Sequence, residues 1–131
     1  TLLRSAEAAG AGRVVLAPGT VDAYNPKVVR GGMGAHFRLA VQEMNWPAIA
    51  GLLAGRPSWL AEAGGQVAYD RVDWTVPSAL IVGGEAEGAG AEAARLATGT
   101  VRIPMAGGAE SLNAAMAATV ILFEAARQNR G

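Results

Sequence analysis

Apolar residues follow two different spacings along the chain, and their alternation predicts strands separated by helices. Short apolar and β-branched runs predict strands at residues 14–16, 39–41, 79–82 and 101–103, with another near Trp59. Helical spacing predicts helices that end near residue 10 and that span residues 46–54, 91–97 and 112–127, with a short helix capped by Asn25. Residues 64–74 have no clear period and are predicted to be a loop. The pattern predicts an α/β fold, a mostly parallel sheet with helices on both faces.

Length and composition favour one domain with a single core. The chain has 131 residues, of which 51% are hydrophobic, and it has no cysteine. The absence of cysteine excludes disulfides, zinc-thiolate sites and a cysteine nucleophile, and it fits a reducing cytoplasm. No apolar run approaches the roughly 20 residues of a membrane helix, and no signal peptide is visible. Because Thr1 already lies inside a helical pattern, we expect that a preceding segment is missing.

Charge is balanced, with 11 basic and 11 acidic residues. A nucleic-acid-binding domain that acts alone usually has a net positive charge, so the balance gives little support to that class. Lys27, Arg30 and Arg38 are close in sequence and are candidates for phosphate contacts, although a solvated helix face is equally compatible with them. His36 has no second histidine or cysteine with which to form a soft metal site, so we expect no metal.

Two glycine-rich segments follow predicted strands: LIVGGEAEGAG, from residue 80, and IPMAGGAESLN, from residue 103. In parallel sheets ligands bind beyond the carboxyl ends of the strands, and glycine there lets the backbone approach a ligand closely. Both segments are therefore candidate ligand sites, although tight turns alone would also explain the glycines.

A dinucleotide-binding pattern is present but lies in the wrong context. Gly88, Gly90 and Ala93 satisfy G-x-G-x-x-A. The predicted strand ends too early for that motif, and Glu85 and Glu87 would place negative charge beside a pyrophosphate. The pattern therefore favours a neutral or cationic ligand.

Several stretches resemble the SpoU/TrmH family of SPOUT methyltransferases. LLRSAEAAG is similar to the end of the first family motif, and VDAYNPKVVRGGMGAHFRLAV resembles the segment that follows it. ALIVGGEAEG and VRIPMAGGAESLNAAMAATVILFEAARQ are similar to the second and third motifs, in the same order and spacing. The resemblance covers essentially the whole chain.

The resemblance implies an S-adenosylmethionine-dependent enzyme that methylates a ribose 2′-hydroxyl of structured RNA, either ribosomal or transfer RNA. It also implies a SPOUT-type α/β fold with a C-terminal trefoil knot, and a homodimer. Residues 1–131 would be the catalytic domain without its first strand, an asparagine of the first motif and any N-terminal RNA-binding domain. The residues it implies for the cofactor are Gly83, Ile103 and Leu112 through their backbone, with Glu85, Gly88, Pro104 and Met105 around them.

The catalytic residues implied by the resemblance are Arg4, Ser111 and Asn113. A guanidinium stays protonated in proteins, so Arg4 is expected to stabilise a developing alkoxide and to bind a phosphate. Ser111 and Asn113 could orient the hydroxyl or the cofactor, or they could simply cap the following helix. Gly32, Ala114 and Ala115 depart from the family pattern, which leaves open a non-catalytic homologue that binds RNA or cofactor without transferring methyl.

Overall fold

The computed structural model describes residues 2–18, 40–83, 90–107 and 112–130. The chain divides into two compact units, Thr1–Leu52 and Leu53–Gly131. Every described pair of neighbouring strands is parallel, and helices occur between the strands along the chain, so the predicted α/β class is confirmed. The described strands form two sheets, one in each unit, and not the single sheet that the sequence pattern predicted.

The first unit contains a helix, a two-stranded parallel sheet and the start of a second helix. Helix α1 (Leu2–Ala8) buries Leu3 and Ala6. Strand β1 (Arg13–Leu16) pairs with β2 (Ala40–Glu43). Helix α2 (Trp46–Leu53) follows, and Asn45 caps it because its side-chain oxygen accepts a hydrogen bond from the Ala48 amide at 2.9 Å.

The second unit contains a four-stranded sheet whose spatial order is β4, β6, β3, β5. Its elements, in chain order, are β3 (Ser58–Ala61), β4 (Val67–Ala68), a 3-10 helix (Tyr69–Arg71), β5 (Ala79–Ile81), α3 (Gly90–Leu96), β6 (Gly99–Arg102) and α4 (Ala114–Arg130). Thus β6, which is the last described strand in chain order, lies between β3 and β4, which are consecutive.

The connection between β3 and β4, residues 62–66, crosses β6; we call it the crossover segment. Ala61 and Val67 both pair with Val101, so the chain leaves β3 and enters β4 at the same height. Parallel strands normally need a long return connection. Here the chain is displaced only perpendicular to the strands, by two strand spacings or about 9–10 Å. A short segment is therefore sufficient.

The core of the second unit lies between the sheet and α4. Val72, Trp74, Val101 and Ile121 form its buried cluster. The indole nitrogen of Trp74 donates a hydrogen bond to the Tyr69 carbonyl at 2.9 Å, so its only polar group is satisfied. Trp59 and Ile103 pack against the same cluster from the sheet. This packing fixes the strand ends on which the candidate site depends.

Most sequence-predicted elements in the described residues are present, with shifted ends. The predicted loop at residues 64–74 is wrong, because it contains β4 and the 3-10 helix. The predicted helix 112–127 begins at Ala114 and ends at Arg130. The short helix predicted after Asn25 lies outside the described residues. No described helix has the length and hydropathy that a membrane span requires.

Candidate functional site

The candidate site is at the carboxyl edge of the four-stranded sheet, where β5 and β6 end. Ile81 of β5 and Thr100 of β6 both pair with Leu60 of β3, so these two residues lie at the same height. Gly83 and Ile103 follow them by two and three residues, respectively. The structure therefore places the backbone of Gly83 and Ile103 at the same edge, just after the two strands that flank β3. Both were predicted as cofactor-binding residues.

The segment after β6 leaves the core as it approaches this edge. Ile103 packs against the buried cluster, Pro104 is exposed and Met105 is half-buried. Pro104 cannot donate a ladder hydrogen bond, so it ends strand pairing here. Where the backbone stops pairing, at the carboxyl ends of the strands, its peptide groups can form hydrogen bonds with a ligand.

Asn113 caps the helix that follows this segment. Its side-chain oxygen accepts a hydrogen bond from the Met116 amide at 2.9 Å, and its carbonyl accepts one from the Ala117 amide at 2.9 Å. The capping alternative considered for Asn113 is therefore present, and it fixes the direction of the side-chain amide. Leu112 precedes it and is half-buried.

Arg102 was missed in the sequence. Its Nη1 donates hydrogen bonds to the Gly65 carbonyl at 2.9 Å and to the Gln66 carbonyl at 3.1 Å. The Gln66 amide in turn donates to Thr100 Oγ1 at 2.9 Å. These hydrogen bonds tie the crossover segment to the end of β6. The available signal was an arginine directly before Ile103 in a predicted strand with apolar neighbours, a position where a charged side chain needs a partner.

Arg4 is an exposed residue of α1 in the first unit. The cofactor candidates at the sheet edge belong to the second unit. The catalytic role of Arg4 stays a prediction.

The other predicted site residues lie outside the described part of the chain. They are Ser111 for catalysis, Glu85 and Gly88 for the cofactor, and Lys27, Arg30 and Arg38 for RNA, together with His36. Among the residues that the structure describes, no group of three or more histidine, aspartate or glutamate side chains could hold a metal ion.

An apolar surface lies on the outer side of α4; we call it the α4 apolar face. It consists of Met116, Val120 and Phe123, which are 54%, 37% and 43% exposed. The spacing of four and three residues places them on one side of the helix, whereas Ala118 and Ile121 are buried on the other. Among the described residues, large apolar side chains this exposed are few, and Val76 is the other one.

The last turns of α4 carry a polar network. Glu124 accepts hydrogen bonds from Arg127 at 2.7 and 2.8 Å and from Gln128 at 2.9 Å. These bonds lower the pKa of Glu124 from 4.5 to about 2, and the bond from Arg127 has the largest effect. Gln128 also donates to the Val72 carbonyl and accepts from the Trp74 amide. The network fastens α4 to the segment that precedes β5.

Comparison with known proteins identifies the family. The profile of the SpoU rRNA Methylase family matches residues 1–123. The chain belongs to this family. The resemblance stated from the sequence motifs is thereby confirmed.

Named relatives of this SpoU family member are methyltransferases. The 23S rRNA (uridine(2479)-2'-O)-methyltransferase of Streptomyces viridochromogenes is 41% identical over 138 residues, which cover 98% of this chain and 47% of the relative. The human "rRNA methyltransferase 3, mitochondrial" is 34% identical over 186 residues, which cover 100% of this chain and 44% of the relative. The chain spans about half the length of these relatives.

A solved structure has the same fold. The SpoU methyltransferase AviRb from Streptomyces viridochromogenes, in complex with the cofactor AdoMet, superposes with a TM-score of 0.90 at 36% identity. The superposition covers 99% of this chain and 52% of AviRb. The architecture described above is thus that of a SpoU methyltransferase over the length that the two share.

Proposed function

We propose that this chain is the catalytic part of an S-adenosylmethionine-dependent methyltransferase that modifies a ribose 2′-hydroxyl of ribosomal or transfer RNA. The observation that carries the proposal is the placement of Gly83 and Ile103 at one edge of a parallel sheet, in a chain of the SpoU family. Ligands bind at this edge in parallel α/β sheets. Family membership favours transfer of methyl over a binding-only homologue.

The chemistry of the edge fits the adenosine part of this cofactor. The described candidate residues are Gly83, Ile103, Pro104, Met105 and Leu112, and none of them has a charged side chain. They therefore offer peptide donors and acceptors together with apolar surface, which suit a neutral nucleoside better than a phosphate. Glu85 and Gly88, which lie outside the described residues, complete the proposed pocket.

The bound cofactor supplies an electrophilic methyl group on a sulfonium, so the protein has to orient the acceptor and stabilise its charge. Arg4 is assigned to the ribose and its neighbouring phosphate, where its fixed positive charge stabilises the hydroxyl oxygen as that oxygen bonds to the methyl group and its proton passes to solvent. Asn113 keeps its side-chain oxygen on the Met116 amide, and its NH₂ group is assigned as a donor to the acceptor ribose. Ser111 is assigned to orienting the hydroxyl or the cofactor. Orientation of this kind contributes a large part of the acceleration in such transfers.

We infer that the chain forms the trefoil knot predicted from the resemblance, with helices on both faces of the sheet. Support comes from the crossover segment, which passes over β6 while Val101 of β6 packs on the other side against Ile121 and Trp74. Consecutive parallel strands that enclose a later strand are unusual, because connections in proteins rarely thread one another. A knot is the arrangement that this enclosure favours.

The proposed partners are RNA and a second copy of the chain. Balanced charge implies that RNA affinity depends on local groups, for which Lys27, Arg30 and Arg38 remain the candidates. The α4 apolar face supports the homodimer, because exposed apolar patches mark association surfaces. A cytoplasmic location, predicted from the absence of cysteine, stays a prediction.

Cofactor binding can be tested by calorimetry with S-adenosylhomocysteine. Gly83→Val places a branched side chain at the proposed contact, and we expect it to abolish measurable binding without loss of folding. The matched control is Gly12→Val, because a side chain at the exposed Gly12 meets no atom within 4 Å. Unchanged affinity in Gly83→Val would show that the cofactor site is elsewhere.

Methyl transfer can be tested by incorporation of tritiated methyl into ribosomal and transfer RNA transcripts. We expect Arg4→Ala and Asn113→Ala to retain S-adenosylhomocysteine affinity while incorporation falls by about 10²-fold or more, the range for loss of one charge-stabilising donor. A transcript that already has a 2′-O-methyl group at one nucleotide cannot accept another there. If such a transcript takes up no tritiated methyl while the unmodified transcript does, that 2′-hydroxyl is the acceptor. Cofactor binding with no incorporation, in a protein that also includes the remainder of the relatives' length, would instead indicate a binding-only homologue.

A further inference from the structure

We propose that Arg102 is a positioning residue for the cofactor-binding backbone at residues 103–105. This inference rests on the proposed function, because it concerns the same sheet edge. Arg102 directly precedes the segment, and its guanidinium fastens the crossover segment to the end of β6. It would act through backbone order, without touching the ligand.

The side chains of β6 alternate between two faces of the sheet. Val101 is completely buried in the core cluster, whereas Thr100 and Arg102, its neighbours, both bond to the crossover segment. Successive side chains of a strand point to opposite faces. The crossover segment therefore covers the face of β6 opposite to α4, and the strand is held from both sides.

The crossover segment is itself pinned where Arg102 meets it. The Gly65 amide donates to the Glu62 carbonyl at 3.1 Å, and the Glu62 amide donates to the Val101 carbonyl at 2.9 Å. Gly65 is buried against the Val101–Arg102 backbone. The Arg102 bonds to the Gly65 and Gln66 carbonyls complete a ring of hydrogen bonds around the last residue of β6. Together with the pairing of Arg102 with Ala68 of β4, these bonds hold the end of β6 from which residues 103–105 continue.

Order in residues 103–105 before binding should raise the affinity for the cofactor. If residues 103–105 are ordered before the ligand arrives, binding does not have to restrict their backbone. Fixing the backbone of one residue on binding lowers the affinity by about tenfold. Loss of the Arg102 bonds should therefore weaken S-adenosylhomocysteine binding by about tenfold even though Arg102 does not contact it.

Two variants separate this role from a general loss of stability. Arg102→Met keeps the aliphatic stem and removes both bonds, whereas Arg102→Lys keeps the charge on a single nitrogen and is expected to retain part of the effect. The control is Gln128→Met, which removes hydrogen bonds from the other end of the core, at Val72 and Trp74. All proteins are compared well below their unfolding temperatures.

The readouts are S-adenosylhomocysteine affinity by calorimetry and amide hydrogen exchange of the ligand-free protein. We expect Arg102→Met to bind about tenfold more weakly and to exchange faster at Ile103 and Met105, Arg102→Lys to be intermediate, and Gln128→Met to bind as the unaltered chain does. Equal affinity of Arg102→Met and the unaltered chain would overturn the inference. So would equal weakening in Gln128→Met, because the effect would then follow stability alone. If Arg102→Met does not fold, the comparison of Arg102→Lys with Gln128→Met decides in the same way. Absence of binding by the unaltered chain would instead overturn the proposed function, and this inference with it.

Discussion

The backbone of Gly65 lies against the peptide bond that joins Val101 to Arg102. A Cβ atom built on Gly65 would approach the carbonyl carbon of Val101 below any permitted distance and would lie 2.7 Å from the Arg102 nitrogen. Both atoms belong to the backbone of β6, which the core and the crossover segment hold on its two faces. Neither side of this contact can move without disturbing the sheet.

Gly65→Ala should therefore be strongly destabilising. Overpacking against mobile side chains typically destabilises by about 1–3 kcal/mol, and rigid backbone places this contact at or above the upper end. We expect the free energy of unfolding in urea to fall by about 3 kcal/mol or more.

Gly64 provides a matched control in the adjacent position. A Cβ on Gly64 meets no atom within 4 Å, and the residue is exposed. Gly64→Ala should leave the unfolding free energy unchanged or raise it by a few tenths of a kcal/mol to about 1 kcal/mol, because alanine restricts the unfolded chain. Similar losses in both variants would contradict the close approach at Gly65.

The hydrogen bonds of Gln128 should also make a measurable contribution to the free energy of unfolding. Its side chain accepts from the Trp74 amide at 2.7 Å and donates to the Val72 carbonyl at 3.0 Å, and both of these residues are buried. Gln128→Met has a similar volume but leaves the two backbone groups without these bonds, and it also removes the bond to Glu124. We expect a loss of about 1–3 kcal/mol in thermal or urea unfolding. The exposed Gln42 of β2 serves as the control, and a comparable loss in Gln42→Met would argue against the proposed cause.

The sequence was informative where a local pattern determines the structure. Apolar spacing was sufficient for α4, although the predicted start at residue 112 is two residues too early, and the capping alternative for Asn113 is present. The strand-to-loop transitions at Gly83 and Pro104 were also visible, because glycine and proline interrupt strand pairing. These are properties of residues that are neighbours in the chain.

The crossover was not visible, because it depends on residues far apart in sequence. Nothing local shows that Ala61 and Val67 both pair with Val101, so the sequence pattern predicts a loop where the two-residue β4 lies. The role of Arg102 was missed for the same reason, since its partners lie 36 and 37 residues away. Register between distant strands is set by packing, which a single sequence does not display.

Glu124 predicts a dependence of stability on acid. Its pKa is lowered to about 2 in the folded protein by hydrogen bonds from Arg127 and Gln128. A carboxyl with a depressed folded-state pKa adds stability that is complete above its unfolded-state pKa of about 4.5 and is lost as the pH falls towards about 2. We expect the unfolding free energy of the unaltered chain to decrease through this window.

Glu124→Gln should flatten that decrease, because the amide does not titrate. Part of the slope should persist, since the pKa of Asp73 is also lowered, by hydrogen bonds from the Thr75 side chain and backbone. The measurement is urea unfolding at a series of pH values between 2 and 6. Glu92→Gln, at an exposed position of α3, is the control and should keep the full slope. A Glu124→Gln variant with an unchanged slope would show that the network does not persist in solution.

The α4 apolar face predicts the effect of charge on assembly. Phe123 is 43% exposed, and in the proposed twofold dimer the same face of each copy meets the other. Phe123→Lys brings two ammonium groups into this interface without partners, which is unfavourable in a desolvated contact. We expect sedimentation of the unaltered chain at micromolar concentrations to show a dimer, and that of Phe123→Lys to show a monomer with an intact fold by circular dichroism.

Val76 supplies the control for this variant. Its side chain is also 43% exposed, but it lies before β5 and outside α4. If exposed apolar area alone drove association, Val76→Lys and Phe123→Lys would weaken the dimer alike. If the α4 apolar face is the interface, Val76→Lys should sediment as the unaltered chain does. A monomeric unaltered chain at tens of micromolar would contradict the dimer itself, and a dimeric Phe123→Lys would move the interface to another surface.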